Sequence, residues 1–253
     1  MKNLAIIPAR MESSRFPGKP LAKICGIPMI AHCFERASLA KNVDTVYVST
    51  PNDEIYLWCQ ANEIPCVITS AEHERATERI HETLQIVDPT NQVFSKIIMV
   101  QGDEPEISPS DIENLIVKIN SNTKICNLVC RISKDKAADK NSVKTVISNS
   151  HEAIFFSRSL VPWNCNHYFR QLGLIGFTPE ALNAYVEFNQ TSIERIESID
   201  MMRFIENNFS ISVSYASKDI FGVDLLEHLA ISEQSISKDD IFPMYRDKYL
   251  GTN

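Results

Sequence analysis

The chain has 253 residues and a formal net charge of −7, with 44% apolar and 23% charged residues. That is the composition of an ordinary globular protein, long enough to bury one large core or one core with a modest lobe. The acidic balance argues against nucleic-acid binding, which favours a basic patch or stripe, and no apolar run approaches the length of a membrane span. The seven cysteines (Cys25, Cys33, Cys59, Cys66, Cys126, Cys130 and Cys165) are an odd number scattered mostly inside apolar runs. The first residues run straight into a strand and a polar loop rather than a signal peptide, so a reducing cytoplasm with buried free thiols is expected. Cys126 and Cys130 share one face of a predicted strand. No second Cys/His pair at ligand spacing accompanies them, so core filling is preferred to a zinc site.

In chain order, residues 3–7 form a short apolar run and the first predicted strand. Residues 8–20 follow as a loop, Pro-Ala-Arg-Met-Glu-Ser-Ser-Arg-Phe-Pro-Gly-Lys-Pro, carrying Arg10, Arg15 and Lys19. Residues 28–40 have helical spacing, with Pro28 at a permitted first-turn position. A strand at 45–49, a helix at 52–62, a strand at 65–68, a helix at 77–87 and a strand at 97–100 follow. This strand–helix alternation over the first hundred residues predicts an α/β fold with a mostly parallel central sheet and helices on both faces. Beyond it the pattern gives a helix at 108–120, a strand at 128–132, a strand pair at 143–147 and 153–156, a strand at 172–177, helices at 179–188 and 192–207, a strand at 211–215 and a helix starting at 225–231. The tail from 232 is polar apart from an aromatic patch at 243–245. With no break in composition, we read one domain over 1–253 with an inserted β-rich lobe at about 130–180.

The stretch Ile97-Ile-Met-Val-Gln-Gly-Asp103-Glu-Pro is a buried strand, a turn glycine and an aspartate at the strand's carboxyl end. Ligand crevices of open α/β sheets lie at those ends, and a carboxylate there suits Mg²⁺ held against a substrate phosphate; the plain alternative is a loop cap. The loop after the first strand lies at the same edge. Its three cations, with backbone N–H groups made accessible at Gly18, suit a polyanion such as a triphosphate. It is neither a Walker loop nor a Gly-x-G-x-x-Gly turn. Asp224 reads locally as an N-cap of the last helix, or as a second Mg²⁺ ligand facing Asp103. Thr77-Glu78-Arg79 opens a helix whose N–H groups could meet a ligand. His73, Arg75, Arg158 and Arg170 read locally as scattered surface cations.

Taken together, seven blocks in order resemble one family: Ile-Pro-Ala-Arg, Ser-Ser-Arg-Phe-Pro-Gly-Lys-Pro-Leu, Thr-Glu-Arg (77–79), Val-Gln-Gly-Asp-Glu-Pro (100–105), Ser-Val-Lys (142–144), Phe-Phe-Ser-Arg-Ser-Leu-Val-Pro-Trp (155–163) and Gly-Val-Asp (222–224). They are similar to the 3-deoxy-manno-octulosonate (Kdo) cytidylyltransferases, also called CMP-Kdo synthetases, over about residues 3–230. The resemblance implies a Rossmann-like nucleotide-diphospho-sugar transferase fold, dimerisation through the inserted lobe into a homodimer, and Mg²⁺-dependent transfer of CMP from CTP to a small acidic sugar acceptor, with release of pyrophosphate, in lipopolysaccharide or surface-polysaccharide synthesis. Carried onto matching positions, it implies that Pro8, Ala9, Arg10, Arg15, Lys19, Arg79 and Gln101 bind the nucleotide, with Arg10, Lys19 and Asp103 catalytic. Asp103 and Asp224 become the metal ligands, and Arg158, Gln171, Asp200 and Met201 bind the acceptor.

The chain departs from the family pattern at four places. Arg75-Ala76 replaces Ser-Gly, Gln171 stands in place of a histidine, Asp200-Met201 replaces Glu-Gln, and Asp224-Leu225-Leu226-Glu227 replaces Asp-Thr-Pro-Glu. Gln171 and Met201 fall where the family touches its sugar, so the acceptor could be the 8-amino analogue, another ulosonic acid or a phosphonate. A catalytically silent nucleotide-binding relative is the alternative from another class. Retention of Lys19, Asp103 and Asp224 argues against it.

Overall fold

The computed structural model describes residues 1–13, 15–220 and 222–251; Ser14, one of the two serines of the cationic loop, lies outside them. Eleven strands and ten α-helices are arranged as follows among the described residues. The first half contains β1 (Lys2–Pro8), the small hairpin β2 (Lys23–Ile24) and β3 (Ile27–Pro28), α1 (Met29–Ser38), β4 (Thr45–Thr50), α2 (Asp53–Ala61), β5 (Cys66–Ile68), α3 (Ala76–Val87), β6 (Phe94–Val100) and α4 (Pro109–Lys118). The second half contains β7 (Ile125–Ile132), α5 (Lys134–Ala138), β8 (Lys144–Ile147), β9 (Glu152–Ser157), β10 (Tyr168–Phe177), α6 (Pro179–Glu187), α7 (Ser192–Glu197), α8 (Met201–Glu206), β11 (Ile211–Tyr215), α9 (His228–Ile236) and α10 (Arg246–Leu250).

The sheet runs β5-β4-β1-β6-β10-β7-β11-β9-β8. Its first four strands are parallel, with β1 between β4 and β6. Side chains alternate along β1. Ala5 and Ile7 face the helical layer of α1, α2 and α4, whereas Leu4 and Ile6 face the layer of α3, α6 and α8. Both faces are therefore covered, as the near-continuous apolar runs of these strands require.

Beyond β6 the expectation of a mostly parallel sheet fails. β10 is antiparallel to both β6 and β7, and β8 and β9 return through a tight turn, a connection that only antiparallel strands allow. A single pairing of Arg170 with Lys144 joins β10 to β8. Strands β7, β8, β9, β10 and β11 thus close into a five-stranded barrel. The predicted β-rich insertion at 130–180 is this barrel. It joins the rest of the sheet through the pairing of β10 with β6, and it includes β11 and most of β7, which lie outside the predicted span. Cys126 and Cys130 are both buried in the core on the α1/α4 side.

Two further corrections concern the second half. The single helix predicted at 192–207 is two, α7 and α8, because Ser198 adopts a left-handed conformation (φ 54°, ψ 49°) that ends the first. The tail is a strap: α9 continues to Ile236, and Phe242 and Tyr245 are buried with Ile24, Ile27, Met29 and Val223 in a third apolar cluster. No helix among the described residues is long and apolar enough to cross a membrane.

Candidate active site

β1 and β6 are parallel neighbours, so their carboxyl ends open at one edge of the sheet. The loop leaving β1 folds on itself there: Gly18 N–H donates to the Met11 carbonyl at 3.0 Å, and Gly18 has φ 74°, a conformation glycine adopts without a Cβ penalty. At the end of β6, a Cβ on Gly102 would stand 3.1 Å from the Pro8 carbonyl oxygen, which explains the small residue between Gln101 and Asp103. This close approach puts Lys19 Nζ 2.7 Å from Asp103 Oδ2.

Asp224 arrives from the other end of the chain. The Val223 N–H donates to the Asp103 carbonyl at 2.8 Å, and Asp224 Oδ1 lies 3.7 Å from Lys19 Nζ and 3.0 Å from Arg15 Nη2. Asp224 caps no helix, because α9 begins only at His228; the local N-cap reading fails. Arg15 also donates through Nη1 to Asn141 Oδ1 at 2.8 Å, tying the cationic loop to the barrel. Two carboxylates thus converge on one ammonium group. Among the described residues no group of three His, Cys, Asp or Glu side chains is placed to hold a metal ion, so a cation here would draw on two carboxylates plus ligand and water oxygens. That all-oxygen donor set fits Mg²⁺, and the Lys19 ammonium shows that the pair accommodates positive charge between them.

Two cavities meet at this point. One, of about 310 Å³, is lined by Pro8, Ala9, Arg10, Arg15, Lys19, Arg79 and Gln101, all seven of the expected nucleotide-binding residues. Arg79 is buried there, donating to Thr69 Oγ1 at 2.6 Å and to the Ser70 carbonyl at 3.0 Å. Burial, and then the nearby charge of Arg10, lower its pKa. His73 and Arg75, which read locally as scattered surface charges, line the same cavity.

The second cavity, of about 260 Å³, is lined by Arg158, Gln171 and Asp200, three of the four expected acceptor residues. Met201 is not among them. It is fully buried in the apolar core beside Phe204 and Tyr185, because the first turn of α8 faces the sheet. Arg158 donates through Nε to the Glu197 carbonyl (2.8 Å), through Nη1 to the Lys140 carbonyl (3.3 Å) and through Nη2 to the Ser198 carbonyl (3.3 Å). A guanidinium has five N–H groups, so part of its fork stays available to a carboxylate. Asp200 accepts from Thr77 Oγ1 at 2.6 Å, and burial raises its pKa.

Gln171 is held by a bulge. The pairing of β10 with β7 shifts register between Gln171 and Ile175, and Asn127 fills the gap, its Nδ2 donating to the carbonyls of Leu128, Leu172 and Leu174. With its amide nitrogen fixed by those carbonyls, Asn127 Oδ1 must accept, and it does so from Gln171 Nε2 at 2.8 Å. Gln171 is left with its amide oxygen and one Nε2–H to offer the cavity it lines.

Sequence reasoning passed over Glu104, Asn141 and Ser198 and read Arg170 as a surface charge; all four also line this cavity. Glu104 carried the one available signal, adjacency to Asp103. It is buried, accepts from the Gly173 N–H at 2.7 Å, and burial pushes its pKa up to about 7. The other three come together only through the barrel's closure. Arg15, Gln101, Asp103 and Asp224 line both cavities.

Four parallel strands whose carboxyl edge carries a cation-lined cavity, joined at two aspartates to a second polar cavity, give the site of a nucleotidyltransferase. The chain matches the cytidylyltransferase family profile over residues 4–220. It is 34% identical over 252 residues to the 3-deoxy-manno-octulosonate cytidylyltransferase of Thermodesulfovibrio yellowstonii, covering 94% of this chain and 99% of that protein. It is 33% identical over 247 residues to the 8-amino-3,8-dideoxy-manno-octulosonate cytidylyltransferase of Shewanella frigidimarina, covering 94% and 100%. Among solved structures, it superposes on a CMP:2-keto-3-deoxy-manno-octonic acid synthetase complexed with CTP with a TM-score of 0.86 at 30% identity, over 94% of this chain and 99% of that one. The chain belongs to the cytidylyltransferase family, and it has the fold of the nucleotide-diphospho-sugar transferases. The resemblance to CMP-Kdo synthetases read from its motifs holds across the whole match.

Proposed function

We propose that the chain transfers CMP from CTP to Kdo or a Kdo-like 2-keto-3-deoxy sugar acid, releasing pyrophosphate, in a Mg²⁺-dependent reaction. The observation that carries this reading is the junction: a cation-lined cavity and a cavity holding Arg158 share Asp103 and Asp224. CTP takes the first cavity, where Arg10, Arg15 and Lys19 neutralise the triphosphate and Gln101 and Arg79 stand beside the nucleoside. The acceptor takes the second, its carboxylate facing the free edge of the Arg158 guanidinium. Asp103 and Asp224 would hold Mg²⁺, which supplies charge neutralisation at the phosphates. Lys19 then leaves the carboxylates for the phosphates, and the acceptor's anomeric hydroxyl is aligned with the α-phosphorus across the junction. Catalysis on this reading rests on positioning and on fixed charge where charge develops.

The amino analogue is the second reading, and Gln171 favours it. Gln171 gives one Nε2–H to Asn127 and presents its amide oxygen, an acceptor that an ammonium group satisfies without exception and a hydroxyl satisfies in one orientation. The deciding experiment is pyrophosphate release with each of the four nucleoside triphosphates, with and without Mg²⁺, against Kdo and its 8-amino analogue. Release confined to CTP, Mg²⁺ and one of these acids supports the proposal. CTP binding with no release for any acceptor favours the silent relative. The protein is further proposed to act in the cytoplasm as a homodimer. Trp163, 91% exposed on the loop between β9 and β10, and Ile154, 53% exposed on β9, support that contact, and sedimentation of the wild type against Trp163→Ser tests it.

A further inference from the structure

Arg75 reaches from one cavity to the wall of the other. It precedes α3 and lines the nucleotide-side cavity, yet its Nη1 donates to Ser198 Oγ at 3.0 Å, and Ser198 lines the acceptor-side cavity. From that second cavity, Arg158 Nη2 donates to the Ser198 carbonyl at 3.3 Å and Arg158 Nε to the Glu197 carbonyl at 2.8 Å. One turn is therefore gripped by two guanidiniums, one from each cavity. Ser198 holds φ 54°, a conformation that costs a non-glycine residue about 1 kcal/mol and persists where surrounding contacts over-determine it.

The base of this bridge is stiff. Arg75 Nε lies 3.4 Å from Glu194 Oε1. Glu194 is fully buried and receives both Nε and Nη2 of Arg203 at 2.8 Å, while Arg203 Nη2 also reaches Glu78 Oε1 at 3.3 Å. Arg75 and Arg203 set two cations against the Glu194 and Glu78 carboxylates, and the charge of Arg75 also favours the ionised form of the buried Asp200. A second tie runs in parallel from α3 to the same turn, from Thr77 Oγ1 to Asp200 Oδ2 at 2.6 Å.

We infer that Arg75 is a positioning residue that couples the nucleotide-side cavity to the acceptor-side cavity through Ser198, fixing the Arg158 fork for the acceptor's carboxylate. The inference rests on the two-substrate reading above. A nucleotide packed against Arg75 firms the Ser198 turn and so tightens the acceptor, and by linkage the acceptor tightens the nucleotide by the same factor.

Ser198→Ala removes only the hydroxyl and leaves both the Arg75–Glu194 ion pair and the Ser198 carbonyl in place. With CTP, Mg²⁺ and Kdo or its 8-amino analogue, it should raise the acceptor KM about fivefold, the size of one net hydrogen bond, and the CTP KM at saturating acceptor by a similar factor, with kcat, CTP binding to the acceptor-free protein and the melting temperature nearly unchanged. Arg75→Ala should raise the acceptor KM by a similar factor, and in the Ser198→Ala background should raise it no further. Arg75→Lys keeps a charge beside Glu194 and one donor for Ser198; it should recover most of the acceptor KM, and it keeps the test open if Arg75→Ala does not fold. An unchanged acceptor KM in Ser198→Ala, or effects that multiply in the double variant, overturns the coupling and leaves cytidylyl transfer standing. Failure of the unsubstituted chain to turn over any acceptor overturns the parent reading, and the coupling with it.

Discussion

The backbone N–H of Val223 donates to the carbonyl oxygen of Asp103 at 2.8 Å, and this one bond stitches the end of β6 to the segment that carries Asp224. The two carboxylates are held together by main chain, so their pairing survives a change in either side chain. Asp103→Asn should therefore spare the fold while cutting turnover at least about 100-fold, the usual cost of removing one fixed charge-stabilising group. The lost ion pair with Lys19 is part-exposed (Asp103 side chain 28% exposed), so stability should fall by no more than about 1 kcal/mol. Pyrophosphate release and a thermal melt on the same sample check both halves. Near-normal turnover removes Asp103 from the metal site.

How much of this was legible in the sequence follows from distance along the chain. β1, β4 and β6, and the helices between them, were readable because strand and helix periods alternate locally and their crossovers permit only a parallel sheet. Lys19 and Asp103 followed at once, since both leave neighbouring strands at the same edge. The barrel was not readable: its closure rests on Arg170 meeting Lys144 and on a bulge filled by Asn127, contacts that no local period records. Met201 failed for a related reason. The position was carried over from a resemblance, whereas the break at Ser198 sets the phase of α8 and turns Met201 into the core. The tail's polar composition concealed that its aromatic patch is buried, Tyr245 together with Phe242.

Lys19 occupies the place where positive charge is wanted, 2.7 Å from Asp103 and 3.7 Å from Asp224. Before nucleotide arrives, its ammonium competes with any divalent cation for the same oxygens. Lys19→Ala should lower kcat/KM for CTP by about 100-fold or more and, in the opposite direction, tighten Mn²⁺ binding to the nucleotide-free protein. Electron paramagnetic resonance of free Mn²⁺ reads the second effect without turnover. Weaker or unchanged Mn²⁺ binding in the variant means that Lys19 does not screen the aspartates.

Gln171 offers its cavity an amide oxygen, while Asn127 takes one of its two Nε2–H groups. A histidine there can present an N–H, which pairs with a hydroxyl oxygen but not with an ammonium group. Gln171→His should shift the ratio of kcat/KM for Kdo over its 8-amino analogue toward Kdo by about tenfold, in the range expected when a polar group loses or gains its match. A ratio that stays within about twofold would show that Gln171 does not read this part of the acceptor.

His32 sets an acid limit on stability. It is fully buried beneath the C-terminal strap, with Nε2 2.9 Å from the Ile24 carbonyl and Nδ1 2.8 Å from the Tyr245 hydroxyl. A carbonyl only accepts, so Nε2 carries the proton and Nδ1 accepts from Tyr245; the neutral ring satisfies both partners, and a second proton would displace the tyrosine's. Burial, together with the charge of Arg36, pushes the pKa down to about 4 from 6.5. The unfolded chain therefore takes up a proton that the folded chain refuses between these values. The contribution is fully present above about pH 6.5 and is lost as pH falls toward 4, amounting to roughly 3 kcal/mol. His32→Gln keeps one donor and one acceptor without the titration. It should be less stable than wild type at pH 7 but lose less stability between pH 7 and 4.5, as read by urea denaturation at each pH. Equal losses in the two proteins would remove His32 as the source and return the acid limit to the carboxylates.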